Sequence, residues 1–293
     1  MKKNLSKSRY LNIHSNILKL FVISLVLVSC NLNQSSNNGI VFQSKEQNRF
    51  KDFILQNNEK NAHLGNDIKK EEHYKKYLTE LASLSDSIGI FKNWEGQIIK
   101  IEVEEPNIFN GLKENYRLLN IEIKIQLEPK YQYVTLYCKK LFKVDEADSL
   151  LLYRQAKNTS VNSEIYFDGF ISKNSENKVN FVTSIMPSDT YYMGELSYPN
   201  IKFHIISLSS EPLKFTNNAN INLLMNKNSL VWKSMTDFSK GKISRKKLKT
   251  IMADCKSEIE TPMSKLTHEE KNYIKSYTDC LSLEFQDYNK LFH

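Results

Sequence analysis

Apolar positions along this chain change their spacing twice. From Ser44 to about residue 87 they recur at three- and four-residue intervals: Phe50, Phe53, Ile54 and Leu55, then Tyr74, Tyr77, Leu78, Leu81 and Leu84. That spacing predicts two amphipathic helices over residues 44–87, the second spanning about Lys69 to Leu84. Ser44-Lys45-Glu46-Gln47 has the form of a capping box at the start of the first. Lys69, Lys70, Glu71, Glu72, Lys75, Lys76 and Glu80 read as the solvated face of the second.

Near Ile88 the period drops to two. Short alternating runs at Ile98–Val103, Leu119–Leu127, Tyr131–Cys138, Glu164–Ile171, Lys178–Ile185 and Ile201–Leu208 predict strands, separated by polar turns, within a β domain over 88–212. Between the third and fourth runs, Asp145 to Tyr153 suits a helix whose first residues are acidic, as the helix dipole favours. Alternation also assigns faces. Ile121, Ile123, Ile125 and Leu127 share one side of the second strand, and Glu122, Lys124 and Gln126 the other. On the third strand Val134, Leu136 and Cys138 point inward, which leaves Tyr131, Tyr133, Thr135, Tyr137 and Lys139 outward.

Helical spacing returns over 213–293. Leu223, Leu224, Leu230, Val231, Trp232, Met235 and Phe238 form one apolar segment, and Leu248, Ile251, Met252, Cys255 and Ile259 another. Thr267-His268-Glu269-Glu270 has capping-box form ahead of Tyr273, Ile274, Tyr277, Cys280 and Leu281. The last two helices are expected to pair as a hairpin. Since Cys255 and Cys280 lie on their apolar faces, a disulfide between them is a candidate, and Cys138 reads as a buried thiol.

The first 43 residues follow another logic. Lys2, Lys3, Lys7, Arg9 and Lys19 precede an apolar run from Leu20 to Val28, too short for the roughly 20 residues of a spanning helix. A small residue and a cysteine close it. Leu27-Val28-Ser29-Cys30 resembles the cleavage and lipidation box of bacterial lipoproteins. The resemblance implies a signal peptide over 1–29, a diacylglyceryl thioether on Cys30, and a lipid-anchored protein of the bacterial cell envelope. Several acyl chains would hold it stably, at about 0.8 kcal/mol per buried methylene. Asn31 resembles the residue following the lipidated cysteine in lipoproteins sorted to the outer membrane. Residues 30–43, which include the polar run Asn31 to Gly39, read as a flexible tether.

The leader also carries most of the basicity. The whole chain is +8, and the five cations of residues 1–29 have no acidic counterpart there, which leaves +3 on the remainder. With export, that balance speaks against nucleic acid as a partner. Lys240, Lys242, Arg245, Lys246, Lys247 and Lys249 form the strongest local basic cluster. It suits either anionic headgroups or a solvated helix terminus.

Three strands, a helix and further strands resemble the order of OB-type barrels. Trp94-Glu95-Gly96-Gln97-Ile98 and Ile165-Tyr166-Phe167-Asp168-Gly169-Phe170-Ile171 resemble their strand-and-turn pattern. The glycines matter because tight curvature needs positions without a side chain. The resemblance implies an α+β fold: an OB-like small β-barrel with N-terminal helices and a C-terminal helical segment, although another β-sandwich or α+β sheet fits the same runs. It also implies a candidate ligand surface of Lys124, Gln126, Tyr131, Tyr133, Tyr137 and Lys139. Such a surface suits sugar rings, a peptide or a protein. The same tyrosines are good strand formers that a terminal helix can cover.

Chemistry-bearing motifs point elsewhere than catalysis. His268-Glu269-Glu270-Lys271-Asn272 lacks the second histidine of HExxH, and there is no CxxC, Walker A, GxGxxG or GxSxG sequence. His63, His73, His204 and His268 are scattered, and the acidic Asp145, Glu146 and Asp148 are explained by a helix start. No catalytic residue, metal ligand or cofactor is assigned. The expectation is a lipid-anchored envelope protein with a noncatalytic binding or structural role, engaging the membrane through its anchor and another envelope protein or glycan through its body. Two alternatives stand beside it. One is an envelope hydrolase whose residues converge only in three dimensions, and the other is a carrier of a lipid or small apolar ligand.

Overall fold

A computed structural model describes residues 44–108, 110–127, 132–174, 178–182, 196, 198–215 and 218–285. The leader, Cys30, the tether and Tyr131 lie outside these residues. The order of elements is α1 (Lys45–Ala62), α2 (Asp67–Ile88), β1 (Phe91–Glu104), β2 (Tyr116–Gln126), β3 (Tyr133–Lys143), a 3-10 turn (Val144–Ser149), α3 (Leu151–Lys157), β4 (Glu164–Ile171), β5 (Asn200–Ser209), α4 (Ala219–Ser239), α5 (Arg245–Ser264) and α6 (His268–Phe285). The fold is therefore mixed helix and sheet. Its sheet closes as a barrel in the order β1-β2-β3-β5-β4, with helices before and after it.

The chain forms two compact units. One contains α1, α2, the barrel and α6 from Lys275 onward; the other contains α4, α5 and the first turns of α6, through Ile274. In the second unit the expected capping box of α6 is formed. Glu270 N donates to Thr267 Oγ1 at 3.2 Å and Thr267 N to Glu270 Oε2 at 2.7 Å. The remaining Glu270 oxygen accepts from Asn218 Nδ2 at 2.9 Å. Asn218 itself caps α4, so one buried carboxylate ties the starts of two helices.

Closure of the barrel depends on β1. Its first half pairs with β4 from Phe91↔Gly169 to Gln97↔Glu164, and its second half with β2 from Gln97↔Lys124 to Glu104↔Leu118. The change of partner falls at Gly96 and Gln97, with a bulge just beyond, between Ile98 and Lys100. A Cβ on Gly96 would meet Ile123 Cγ2 at 2.5 Å, so the missing side chain is what lets β1 cross close over β2. The inward set matches the alternation. Ile121, Ile123, Ile125, Leu127, Val134 and Leu136 are fully buried and Cys138 nearly so.

Aromatic rings fill one part of the interior. Phe91 stacks on Trp94 at 3.8 Å, Phe203 lies 5.5 Å from Phe91 and meets Phe167 edge-on at 5.7 Å, and Phe50 of α1 approaches Trp94 at 5.2 Å. A helix thus completes the barrel core. Gln47 of α1 makes the same junction in polar terms, because its amide donates to Glu95 O at 2.6 Å and accepts from Glu95 N at 3.0 Å. The expected capping box of α1 is consequently half formed: Ser44 Oγ accepts from Gln47 N, while the Gln47 side chain serves β1 instead.

Two expected elements take another form. Residues 145–153 are not one helix. Leu150, extended at φ −83 and ψ 121, separates the acidic 3-10 turn from α3. The run at 178–185 makes isolated bridges, Lys173↔Val179 and Phe181↔Ile201, within the described part of that segment.

Candidate functional site

The outward side of β2 and β3 is a mixed aromatic and charged surface. Register places Glu122 opposite Tyr137, Lys124 opposite Thr135 and Gln126 opposite Tyr133. Lys124 Nζ lies 4.8 Å from the centre of the Tyr133 ring, and Tyr198, which precedes β5, approaches that ring at 5.3 Å with a tilt of 51°. Tyr198 is 44% exposed. Here a cation and two phenol rings share one patch, an arrangement that combines cation–π attraction with apolar stacking faces.

Along the strand the chemistry becomes ionic. Lys100 Nζ is 2.8 Å from Glu102 and 4.0 Å from Glu122. Its ammonium is held above the usual lysine range chiefly by the hydrogen bond to Glu102. Burial raises the Tyr137 phenol above its ordinary value and the neighbouring Glu122 adds to this, so the hydroxyl stays protonated and available as a donor.

The expected ligand residues are only partly brought together. Lys124 and Tyr133 meet, and Tyr137 lies half-buried two steps along the same face, beyond Thr135. Gln126 is consumed locally, since its Nε2 donates to Leu127 O at 3.1 Å and Gln132 O at 2.9 Å. Lys139 is exposed but pairs with Asn120, six positions and so about 20 Å along β3 from Tyr133. Thr135 is buried rather than open, its amide donating to Pro199 O at 2.9 Å. Tyr198 and Lys100 join the patch from segments that strand alternation on β2 and β3 does not reach. The only sequence signal for Tyr198 is that an aromatic residue immediately precedes Pro199 and the fifth strand.

A second polar cluster lies where α6 meets the barrel. Between Asp168 and Gly169 the β4–β5 register shifts, pairing Ser207 and Ile205 and leaving Ile206 without a β4 partner. Ser276 Oγ of α6 donates to the Ile206 carbonyl at 2.6 Å, and Cys280 Sγ to the Ile205 carbonyl at 3.3 Å. Tyr277 meets Phe170 edge-on at 6.0 Å, and Phe170 lies 5.0 Å from the His204 ring. His204 is buried, its Nε2 has no hydrogen-bond partner, and burial pulls its pKa down to about 3, with Lys140 adding to the effect. Asp279 is raised by burial, against the opposing charges of Lys140 and Lys275. Ser276 and Cys280 both spend their side chains on β5 carbonyls, so the cluster is a support for α6.

The expected Cys255–Cys280 bridge is not formed. All three described cysteines, Cys138, Cys255 and Cys280, are buried and none is in a disulfide. The reason is that the two apolar helix faces have different neighbours: α5 packs on α4, with Lys227 acting on the Cys255 thiol, whereas the Cys280 thiol is directed at β5. The basic cluster at the start of α5 is exposed, and Lys242 is 3.9 Å from Asp237. Among the described residues no group of histidine, cysteine and carboxylate side chains suits a metal ion, and no helix is long and apolar enough to cross a membrane. A groove of about 730 Å³ between α1 and α2 has Phe53 and Leu84 in it, but its walls carry Lys45, Arg49, Asp52 and Glu80.

Compared with known protein families, curated proteins and solved structures, the chain matches none. Class is therefore defined by architecture alone: an α+β protein with a closed five-stranded barrel and terminal helices.

Proposed function

We propose that this is a lipid-anchored protein of the bacterial cell envelope, whose OB-like barrel binds an envelope glycan on the outer face of β2 and β3. The strand order β1-β2-β3-β5-β4, with a helical connection between β3 and β4, supports the OB-like reading. The observation that carries the ligand class is the Tyr133–Tyr198 pair with Lys124 over the Tyr133 ring. Phenol rings offer flat apolar faces to the C–H side of a sugar, while Lys124, Glu122 and the Tyr137 hydroxyl supply donors and acceptors for its hydroxyl groups. In this reading the face holds the sugar without transforming it, a noncatalytic role. The address rests on Leu27-Val28-Ser29-Cys30 after a basic and apolar leader.

Two experiments test the two halves. Metabolic labelling with a palmitate analogue should mark the wild-type chain and leave a Cys30→Ala chain unmarked and outside the membrane fraction; equal labelling of both rejects the anchor. Titration with solubilised cell-wall and lipopolysaccharide glycan fragments should give saturable binding that falls roughly tenfold in Tyr133→Ala, as expected for loss of one stacking ring. Binding unaffected by Tyr133→Ala and Tyr198→Ala together rejects the face. Specific crosslinking of an envelope protein to Tyr198, without glycan binding, would transfer the surface to a protein partner.

A further inference from the structure

The parallel ladder between β3 and β5 is short. It runs from Thr135↔Asn200 to Tyr137↔Lys202, and beyond it the seam is bridged by side chains. The backbone of Ile205 hydrogen-bonds the Cys138 thiol of β3, and the carbonyl of the same residue accepts from Cys280 Sγ of α6 at 3.3 Å. In an extended strand the amide and carbonyl of one residue point to the same edge, so both sulfurs approach Ile205 from one side. Barrel and helix each place one buried thiol at this point, within a single compact unit. Cys255 belongs to the other unit and is not part of the juxtaposition.

We propose that Cys138 and Cys280 are a disulfide pair, which fastens α6 across the β3–β5 seam when the chain meets a disulfide oxidant. Its occurrence in the cell rests on the export reading, because exported compartments allow such bonds to persist. The chemistry is thiol–disulfide exchange. The Cys280 thiolate attacks one sulfur of the oxidant, whose S–S bond breaks and releases one thiolate. Cys138 then attacks the Cys280 sulfur of the mixed disulfide, forming the internal S–S bond and releasing the second thiolate. The protons lost by Cys280 and Cys138 end on the two released thiols, so the protein is oxidised by two electrons and the oxidant reduced by two.

Kinetics follow from burial. Removal from water pushes the Cys138 thiol up to about 11, so at neutral pH little thiolate is present while α6 is seated. Bridging therefore belongs to folding, or to moments when α6 lifts.

The test uses the chain from residue 31 onward with Cys255→Ser, which retains both partners and removes the competing thiol. It is unfolded, reduced and refolded in an oxidised and reduced glutathione mixture, then acid-quenched, alkylated and digested without reduction. Expected are a Cys138–Cys280 linked peptide and a urea midpoint that rises relative to the same protein held reduced. Full alkylation of both cysteines after refolding to the native spectrum overturns the pairing, as does a mixed disulfide with glutathione that never resolves. Wild-type protein acid-trapped from envelopes separates the two readings. A bridge that forms on refolding yet is missing in the envelope overturns its occurrence there and counts against export to an oxidising compartment, while the juxtaposition stands.

Discussion

Gly169 is the position at which the barrel tolerates a side chain least. It faces Ile205 across the β4–β5 ladder, immediately after the register shift at Asp168. A Cβ built there would lie 2.7 Å from Phe203 Cζ, and nearer still to Phe203 Cε1 and the His204 carbonyl oxygen. A ring can rotate away from such an overlap, but a backbone carbonyl in a paired strand cannot. Gly169→Ala must therefore push β4 and β5 apart. Overpacking of this kind costs about 1–3 kcal/mol, and stretching the two or so ladder hydrogen bonds beside it adds about 1 kcal/mol each, for roughly 3–5 kcal/mol.

Gly96→Ala should be milder, about 1–2 kcal/mol, because its closest neighbour is the methyl end of Ile123 at 2.5 Å, with Lys124 O at 3.2 Å. Gly65→Ala meets nothing within 4 Å and should change stability by less than about 0.5 kcal/mol unless it stabilises through the unfolded chain. Urea unfolding in a Trp232→Phe background leaves Trp94, fully buried in the barrel, as the fluorescence reporter. The expected order of midpoints is Gly65→Ala, then Gly96→Ala, then Gly169→Ala, with unchanged slope. A Gly169→Ala midpoint within about 0.5 kcal/mol of Gly65→Ala would refute the close-approach reasoning.

Three further outcomes follow from the same packing. His204 stays neutral in the folded protein down to about pH 3, while its unfolded value is near 6.5, so the unfolded chain binds the extra proton between them. Stability from this group is complete above pH 6.5 and is lost as pH falls toward 3, at up to roughly 1.4 kcal/mol per pH unit; urea midpoints of His204→Leu should be flatter across that window, and parallel curves would sink the assignment. Ser276→Ala removes the donor to the Ile206 carbonyl and should cost about 1–3 kcal/mol, with faster amide exchange in α6 than in α1; uniform exchange in both would show that α6 does not depend on the bulge. Asn93, at φ 49, donates to Leu213 O at 3.0 Å and accepts from Leu213 N at 2.7 Å, so Asn93→Ala should lose about 2–3 kcal/mol and Asn93→Gly less, whereas equal losses would deny the left-handed backbone a role.

Legibility differed between local and distant features. Alternation in β2 located a fully buried set, Ile121, Ile123 and Ile125, because burial of one sheet face acts on every second residue. Gly96 and Gly169 were readable for a similar reason: each marks a strand that must be approached closely. The Cys255–Cys280 pairing failed because helical spacing identifies an apolar face without naming what covers it. Gln47 was read as a cap yet serves Glu95, 48 residues away, where its amide completes both backbone groups of a strand residue. Lys140 is buried on the same alternating side as Cys138, a placement that hydrophobic pattern alone argues against. Its ammonium lies close enough to Asp279 for attraction, which is visible only once α6 is folded back. Tyr198 was out of reach because its partner Tyr133 is 65 positions earlier.

The division of polar groups separates support from recognition. Gln47, Asn93, Gln126 and Ser276 all spend their side chains on backbone groups at irregular points: the turn of β1, the exit from β5, the β2–β3 hairpin and the β5 bulge. Such residues are needed wherever a small barrel breaks its own ladder, since a buried carbonyl or amide without a partner is costly. Tyr133, Tyr137 and Tyr198 are different. They stand on or beside regular strand, where the ladder needs no help, and their rings keep exposed area that folding does not demand. Lys124 adds a charge held over a ring. If this patch were only packing, Tyr198→Ala should destabilise the barrel by the cost of a buried aromatic, about 3–5 kcal/mol. A half-exposed ring in a recognition surface predicts the opposite pattern: little change in the urea midpoint and a large loss of ligand.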